Sequence, residues 1–218
     1  MSTVLNITNG DCFNEHLLAK FDCVAMPFCE AMMDGKTVSD IYSNKFIYLR
    51  AWELKVTHNE YISKMYIHRA LLENSFTELH LWFGKDTFCQ TNLLTLLAYL
   101  EQIAYNGKIL LNYIDDETFE VLQSNIPVTL GTYKALYEDI LIAKKLPDET
   151  FVLAKEAFNL YFDYQSPDGY LQQLMRQNTN LDNIELLHLL LESSKPYGLS
   201  DRQATNLILR YRKTDTES

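Results

Sequence analysis

The feature that most constrains this chain is an alternation. Over its first 130 or so residues, short apolar runs take turns with longer stretches of helical periodicity. Residues 4–8 (VLNIT) read as a strand, punctuated by Asn9-Gly10-Asp11, and a helical pattern follows through Leu17, Leu18 and Phe21. Residues 23–28 read as a second buried strand that closes near Pro27. A helical stretch over 39–74 carries Tyr42, Phe46, Leu49 and Trp52, then Tyr61, Met65, His68 and Leu72, with a break near 56–59. Residues 78–83 form a third strand ended by Gly84, followed by a leucine-rich helix to about Ile103. Asp86 or Thr87 can cap that helix, and Thr87 with Gln90 matches a capping box. Asn106-Gly107 leads into a fourth strand over 108–114, and 126–130 reads as a fifth, with Pro127 placing it at an edge. Strand–helix alternation of this kind predicts an α/β fold, a mostly parallel open sheet flanked by helices.

After Gly131 the strand signals stop. Helical patterns occupy 133–145, 150–164, 169–178, 183–193 and 200–212, separated at Pro147, Pro167 and Pro196-Tyr197-Gly198. The expected division is an α/β domain over 1–131 and an all-α C-terminal region over 132–218.

Apolar residues make up 47% of the chain and charged residues 22%, proportions that support a sizeable core. The net charge of −10 tells against a nucleic-acid binder acting through bulk electrostatics, because phosphate contacts need clustered Lys and Arg. Cys12, Cys23, Cys29 and Cys89 contain no C-x-x-C pair, and the opening residues lack a signal-peptide layout. No apolar run approaches the roughly 20 residues that span a bilayer. A cytoplasmic, reducing location and no membrane partner are therefore expected.

The candidate site follows from convergence. In an open parallel sheet, ligands bind beyond the carboxyl ends of the strands. Four segments carry polar or turn residues just past a strand: Asn9-Gly10-Asp11, Cys29-Glu30, Gly84-Lys85-Asp86, and Asn112 to Asp116. The expected ligand-binding set is Asn9, Gly10, Asp11, Glu30, Asp86, Gln90, Asn112 and Asp115. Plain turns and helix caps account for several of these too, since Asp11, Asp86 and Asp115 are all good caps. Neither G-x-G-x-x-G nor a P-loop is present, and Asp11 would repel a phosphate seated directly on it.

Other residues carry weaker signals. Cys12 and His16, four apart on one helix face, have the spacing of a nucleophile and its base but no third, orienting group. Asp115, Asp116 and Glu117 have the chemistry to hold Mg²⁺ or a ribose hydroxyl, although an acidic first helical turn is the simpler reading. The histidines lack metal-ligand spacing, and no metal site is assigned. The last two helices and their Pro-Tyr-Gly turn outline a helix-turn-helix, with Arg202, Arg210, Arg212 and Lys213 making that end basic; a plain helical hairpin is the simpler reading.

Two motifs resemble a known family. The run Leu79-His80-Leu81-Trp82-Phe83-Gly84-Lys85-Asp86-Thr87-Phe88-Cys89-Gln90, with Asn92-Leu93-Leu94, and the opening Asn6 to Asp11, resemble the bacterial domain of unknown function 1835 family. The resemblance covers about residues 3–130 and rests on Gly10, Asp11, Trp82, Asp86 and Gln90. It supports the α/β expectation and implies no reaction. The family often has serine at the position of Cys12, which tells against an essential thiol there.

The function expected is binding of a small ligand, of a phosphate-bearing or nucleotide class, at the carboxyl edge of the parallel sheet. The alternative is a regulatory or interaction protein whose C-terminal helices bind a protein partner or DNA. Whether a reaction is catalysed, and with what cofactor, stays open at this level.

Overall fold

A computed structural model describes residues 3–73, 76–146 and 153–216, with side chains through Lys213. Strand β1 (Val4–Asn9) is followed by α1 (Asp11–Lys20) and β2 (Ala25–Phe28). Three helices, α2 (Asn44–Glu53), α3 (His58–Lys64) and α4 (Ile67–Glu73), precede β3 (Glu78–Phe83). Then come α5 (Thr87–Gln102), β4 (Lys108–Ile114) and β5 (Val121–Pro127). The sheet order is β2-β1-β3-β4-β5, with β2, β1, β3 and β4 parallel and β5 antiparallel to β4. The expected open, mostly parallel α/β sheet is what forms.

The expected helical stretch over 39–74 begins later, at Asn44, and is three helices: the expected break near 56–59 corresponds to the gap between α2 and α3, and a second break separates α3 from α4. Ser43 caps α2 by accepting the Phe46 N–H, and Thr57 with Glu60 forms a capping box that starts α3. The expected fifth strand at 126–130 instead covers Val121–Pro127. Only a six-residue turn separates it from β4, too short for a parallel crossover, so the pair is a hairpin. Most of β5 is exposed, which is why its polar residues concealed it from an apolar pattern.

Alternate strand residues serve opposite faces. Leu5, Ile7, Leu79, Leu81, Phe83, Ile109, Leu111 and Tyr113 join the main core with α5. Phe13 and Leu17 of α1 pack with Ile114 and Trp82 on the other face. Helix α5 is buried on nearly every side because the C-terminal helices cover what the sheet does not.

Those helices are α6 (Tyr133–Tyr137), continued by a π-helical turn (Glu138–Ile142), then α7 (Lys155–Gln165), α8 (Tyr170–Gln177), α9 (Asn183–Ser193) and α10 (Asp201–Thr216). Pro147 and the expected start of the helix at Thr150 lie outside the described residues. Glu101 of α5 supplies the acceptors at the start of α6, taking the N–H groups of Gly131, Tyr133 and Lys134. The compositional change at Gly131 does not interrupt the packing, since one apolar cluster runs from Leu5 to Ile208.

Candidate functional site

Strands β1 and β3 are neighbours, but the chain leaves them to opposite faces, through α1 and α5. That reversal is the topological switch point of the sheet, the place where open α/β sheets bind ligands. Gly10 stands on its β1 side. Its φ of 80° and ψ of 177° lie in a region essentially restricted to glycine, and a Cβ there would meet nothing within 4 Å. Asp11 is the first residue of α1 rather than its cap, a position the helix dipole favours. Its carboxylate accepts from the Cys29 thiol at 3.6 Å, which ties the β1 loop to the β2 loop. Burial and Asp11 together push that thiol up to about 12.

The two loops are joined directly. Asn9 donates from Nδ2 to Cys89 Sγ at 2.9 Å, and Asn92 donates to Asn9 Oδ1 at 2.9 Å. Asn92 also donates to the Glu30 carbonyl at 2.6 Å and accepts the Met32 N–H at 3.0 Å. One fully buried side chain therefore holds the ends of β1 and β2 against α5. Neither Asn92 nor Cys89 was expected at the site. The available signal was a polar residue inside the leucine run of an all-round buried helix, which needs partners when desolvated.

Asp86 caps α5 by accepting the Cys89 N–H at 2.9 Å, so the expected Thr87–Gln90 capping box does not form. Cys89 Sγ in turn donates to Asp116 Oδ2 at 3.5 Å. Donor atoms of Asp86, Cys89 and Asp116 all lie within 4.8 Å of one another. Asp116 has an exposed surface overall, but its carboxyl turns in over Gly84. A Cβ on Gly84 would stand 1.7 Å from Asp116 Oδ2. Burial of that carboxyl, then the hydrogen bond and charge of Asp86, raise its pKa from 3.8 toward about 8. Burial and the same two aspartates hold the Cys89 thiol well above its usual range. The arrangement sets the raised carboxyl of Asp116 beside Asp86 and a neutral thiol. It can exchange a proton near neutral pH, accept from a hydroxyl or amine, or, on losing protons, ligate a cation such as Zn²⁺ through one sulfur and two oxygens.

The remaining candidates have structural duties. Glu30 is fully buried, accepts from the Tyr61 hydroxyl, and faces Arg50 Nε at 3.6 Å. Gln90 donates to the Gly84 carbonyl at 2.6 Å and accepts the Ala154 N–H at 3.1 Å. Asn112 is buried in the ladder, donating to the Leu81 carbonyl at 3.3 Å and accepting the Asn125 N–H at 2.9 Å. Asp115 does not start a helix; it closes the hairpin turn by accepting from the Glu117 and Thr118 N–H groups and the Thr118 hydroxyl. Cys12 is exposed, and the His16 ring packs on Phe13 and Phe119; no hydrogen bond joins the two among the described residues.

The C-terminal region roofs part of this edge. A 3₁₀ turn (Lys195–Tyr197) ends at Gly198, where a Cβ would stand 2.1 Å from Asp86 Oδ1. The Thr87 hydroxyl, within reach of two acceptors, donates to the Ala157 and Pro196 carbonyls. The β1 side stays open above Gly10, while the β3 side is covered. Among the described residues no helix is long and apolar enough to cross a membrane. Compared with known protein families, curated proteins and solved structures, the chain matches none of them.

Proposed function

We propose that this protein binds a small ligand at the switch point between the β1 and β3 loops, at the carboxyl edge of its parallel sheet. The observation that carries the reading is the switch point itself, with Asn9 of one loop bonded to Cys89 behind the other and open space over Gly10. Asp86 and Asp116 would meet a hydroxyl or amine of the ligand, or a cation bound with it. For a phosphate-bearing or nucleotide ligand, that means a ribose or base group at the carboxyl pair and the phosphates away from Asp11, Asp86 and Asp116, whose charges repel them. The resemblance to the domain of unknown function 1835 family is part of this reading and brings no reaction with it.

A thermal-shift screen of nucleotides, phosphorylated metabolites and divalent metals tests the proposal, because a ligand bound only to the folded state raises the melting temperature. The expected result is a shift for the wild-type chain that shrinks in Asp116→Asn. That substitution keeps the side-chain shape and removes the ionisable oxygen. A screen with no shift, or a shift equal in both chains, rejects the site.

A further inference from the structure

Away from the carboxyl pair, a cavity of about 580 Å³ lies between the loop after β2, the end of α2 and one face of α10. None of the eight residues expected at the strand ends lines it. Its volume is in the range of small-molecule sites, roughly 300–1,000 Å³.

Its charge runs against the rest of the chain. Lys55, Arg202, Arg210 and Lys213 line it together with two carboxylates, Asp34 and Glu53. Asp34 is already committed, since Tyr164 donates to one oxygen at 2.8 Å and Gln203 to the other at 2.7 Å. Four cationic residues against two carboxylates leave the cavity an excess of positive charge in a protein of net charge −10. On α10, Arg202, Asn206, Arg210 and Lys213 recur at helical spacing along one face, so the charges form a row. With a rise of about 1.5 Å per residue, that row extends roughly 16 Å. Arg202 is held at the rim by donating to the Leu54 carbonyl at 3.1 Å.

Two further features define the occupant. Phe88 and Leu54 are apolar residues in the same lining. Lys55 sits at φ 55°, a left-handed position after α2 where glycine is the residue of least strain, and it is one of the residues that line the cavity. Guanidinium groups match phosphate oxygens in paired hydrogen bonds, and a row of cations longer than one phosphate suits several.

We propose that this cavity binds a small organic polyphosphate, with the phosphates along Arg202, Arg210 and Lys213 and an aromatic or apolar body against Phe88 and Leu54. The proposal stands independently of the strand-end reading. Titration calorimetry of the full chain with ATP, tripolyphosphate and inorganic phosphate tests it. ATP is expected to bind more tightly than tripolyphosphate, and tripolyphosphate more tightly than inorganic phosphate, with affinity falling as salt rises. Lys55→Gly combined with Lys213→Gln should weaken ATP binding by about tenfold or more. Lys55→Gly alone should melt no lower than wild type, because glycine relieves the left-handed backbone, so lost binding there cannot be lost folding. Absent ATP binding overturns the proposal, as does binding that the double variant leaves unchanged. Tripolyphosphate binding as tightly as ATP overturns the role of Phe88 and Leu54. ATP binding lost in Asp116→Asn but kept in the double variant moves the ligand to the strand ends and rejects this cavity; the reverse pattern supports it and leaves the strand-end reading to its own screen.

Discussion

Two carboxylates near the carboxyl edge of the sheet, Glu30 and Asp116, have met opposite fates. Glu30 follows β2, is sealed from solvent, and is matched by Arg50 and the Tyr61 hydroxyl. Arg50 spends its other donors on the carbonyls of Asp34, Lys36 and Ala31, so the pair pins the loop after β2. Asp116 follows β4 and faces another carboxylate, Asp86, across Gly84. The first arrangement sets a buried carboxyl beside a countercharge, although burial still outweighs Arg50 and raises its pKa, and it serves the fold. The second lacks a cation among its close partners, and keeping a proton on Asp116 is what lowers the repulsion.

The comparison can be broken at four places. The largest effect is expected from Arg50→Met, which strands Glu30 without its countercharge and frees the loop. Urea denaturation should show a loss of about 3–5 kcal/mol, partly recovered by adding Glu30→Gln. A loss below about 1 kcal/mol, the range of an exposed pair, would mean that Glu30 is not the structural member of the two. Next is Gly198→Ala, which places a Cβ in the left-handed region, 2.1 Å from Asp86 Oδ1. It should cost about 1–2 kcal/mol and disturb the carboxyl pair from the roof side.

A smaller effect concerns pH. The folded pKa of Asp116 is raised, so its contribution to stability is fully present below its ordinary 3.8 and is lost as pH rises toward about 8. Asp116→Asn should therefore leave stability near pH 4 unchanged, raise it near pH 8, and flatten that part of the stability–pH curve. A slope identical to wild type would show that the carboxyl titrates normally. The smallest stability change is expected from Gly84→Ala. Its Cβ would meet the ends of two side chains, Asp116 Oδ2 at 1.7 Å and Asp86 Oδ2 at 2.8 Å; the flexible Asp116 carboxyl can swing into water, and Asp86 need shift only a few tenths of an ångström about its cap. Stability should move by under about 0.5 kcal/mol, while the carboxyl resonance of Asp116 in an NMR titration returns toward the ordinary range.

Much of the scaffold was legible because its signals are local. Glycine at position 10 and an aspartate at 86 before a leucine-rich helix are decided within a few residues, and both stand where a turn and a cap were expected. The expectation for Asp115 failed because an acidic first turn and a hairpin turn share the same residue preferences. Only the pairing of Val121–Pro127 with β4 distinguishes them. Glu30 read as a loop residue because nothing local announces that Arg50 and Tyr61, 20 and 31 positions away, close over it.

The sequence by itself determined the alternation, and with it a parallel sheet whose loops share one edge, because side-chain periodicity and turn chemistry act over a few residues. Only the tertiary structure decided which of those loop residues remain available. Glu30, Gln90 and Asn112 became internal fasteners, while Cys89 and Asp116 joined Asp86 in one cluster of two carboxylates and a thiol. The row of cations on α10 likewise became the wall of a cavity only when the loop after β2 came to face it. Burial and the sign of the nearest charge set what a carboxylate or a lysine can do, and both are properties of distant segments brought together.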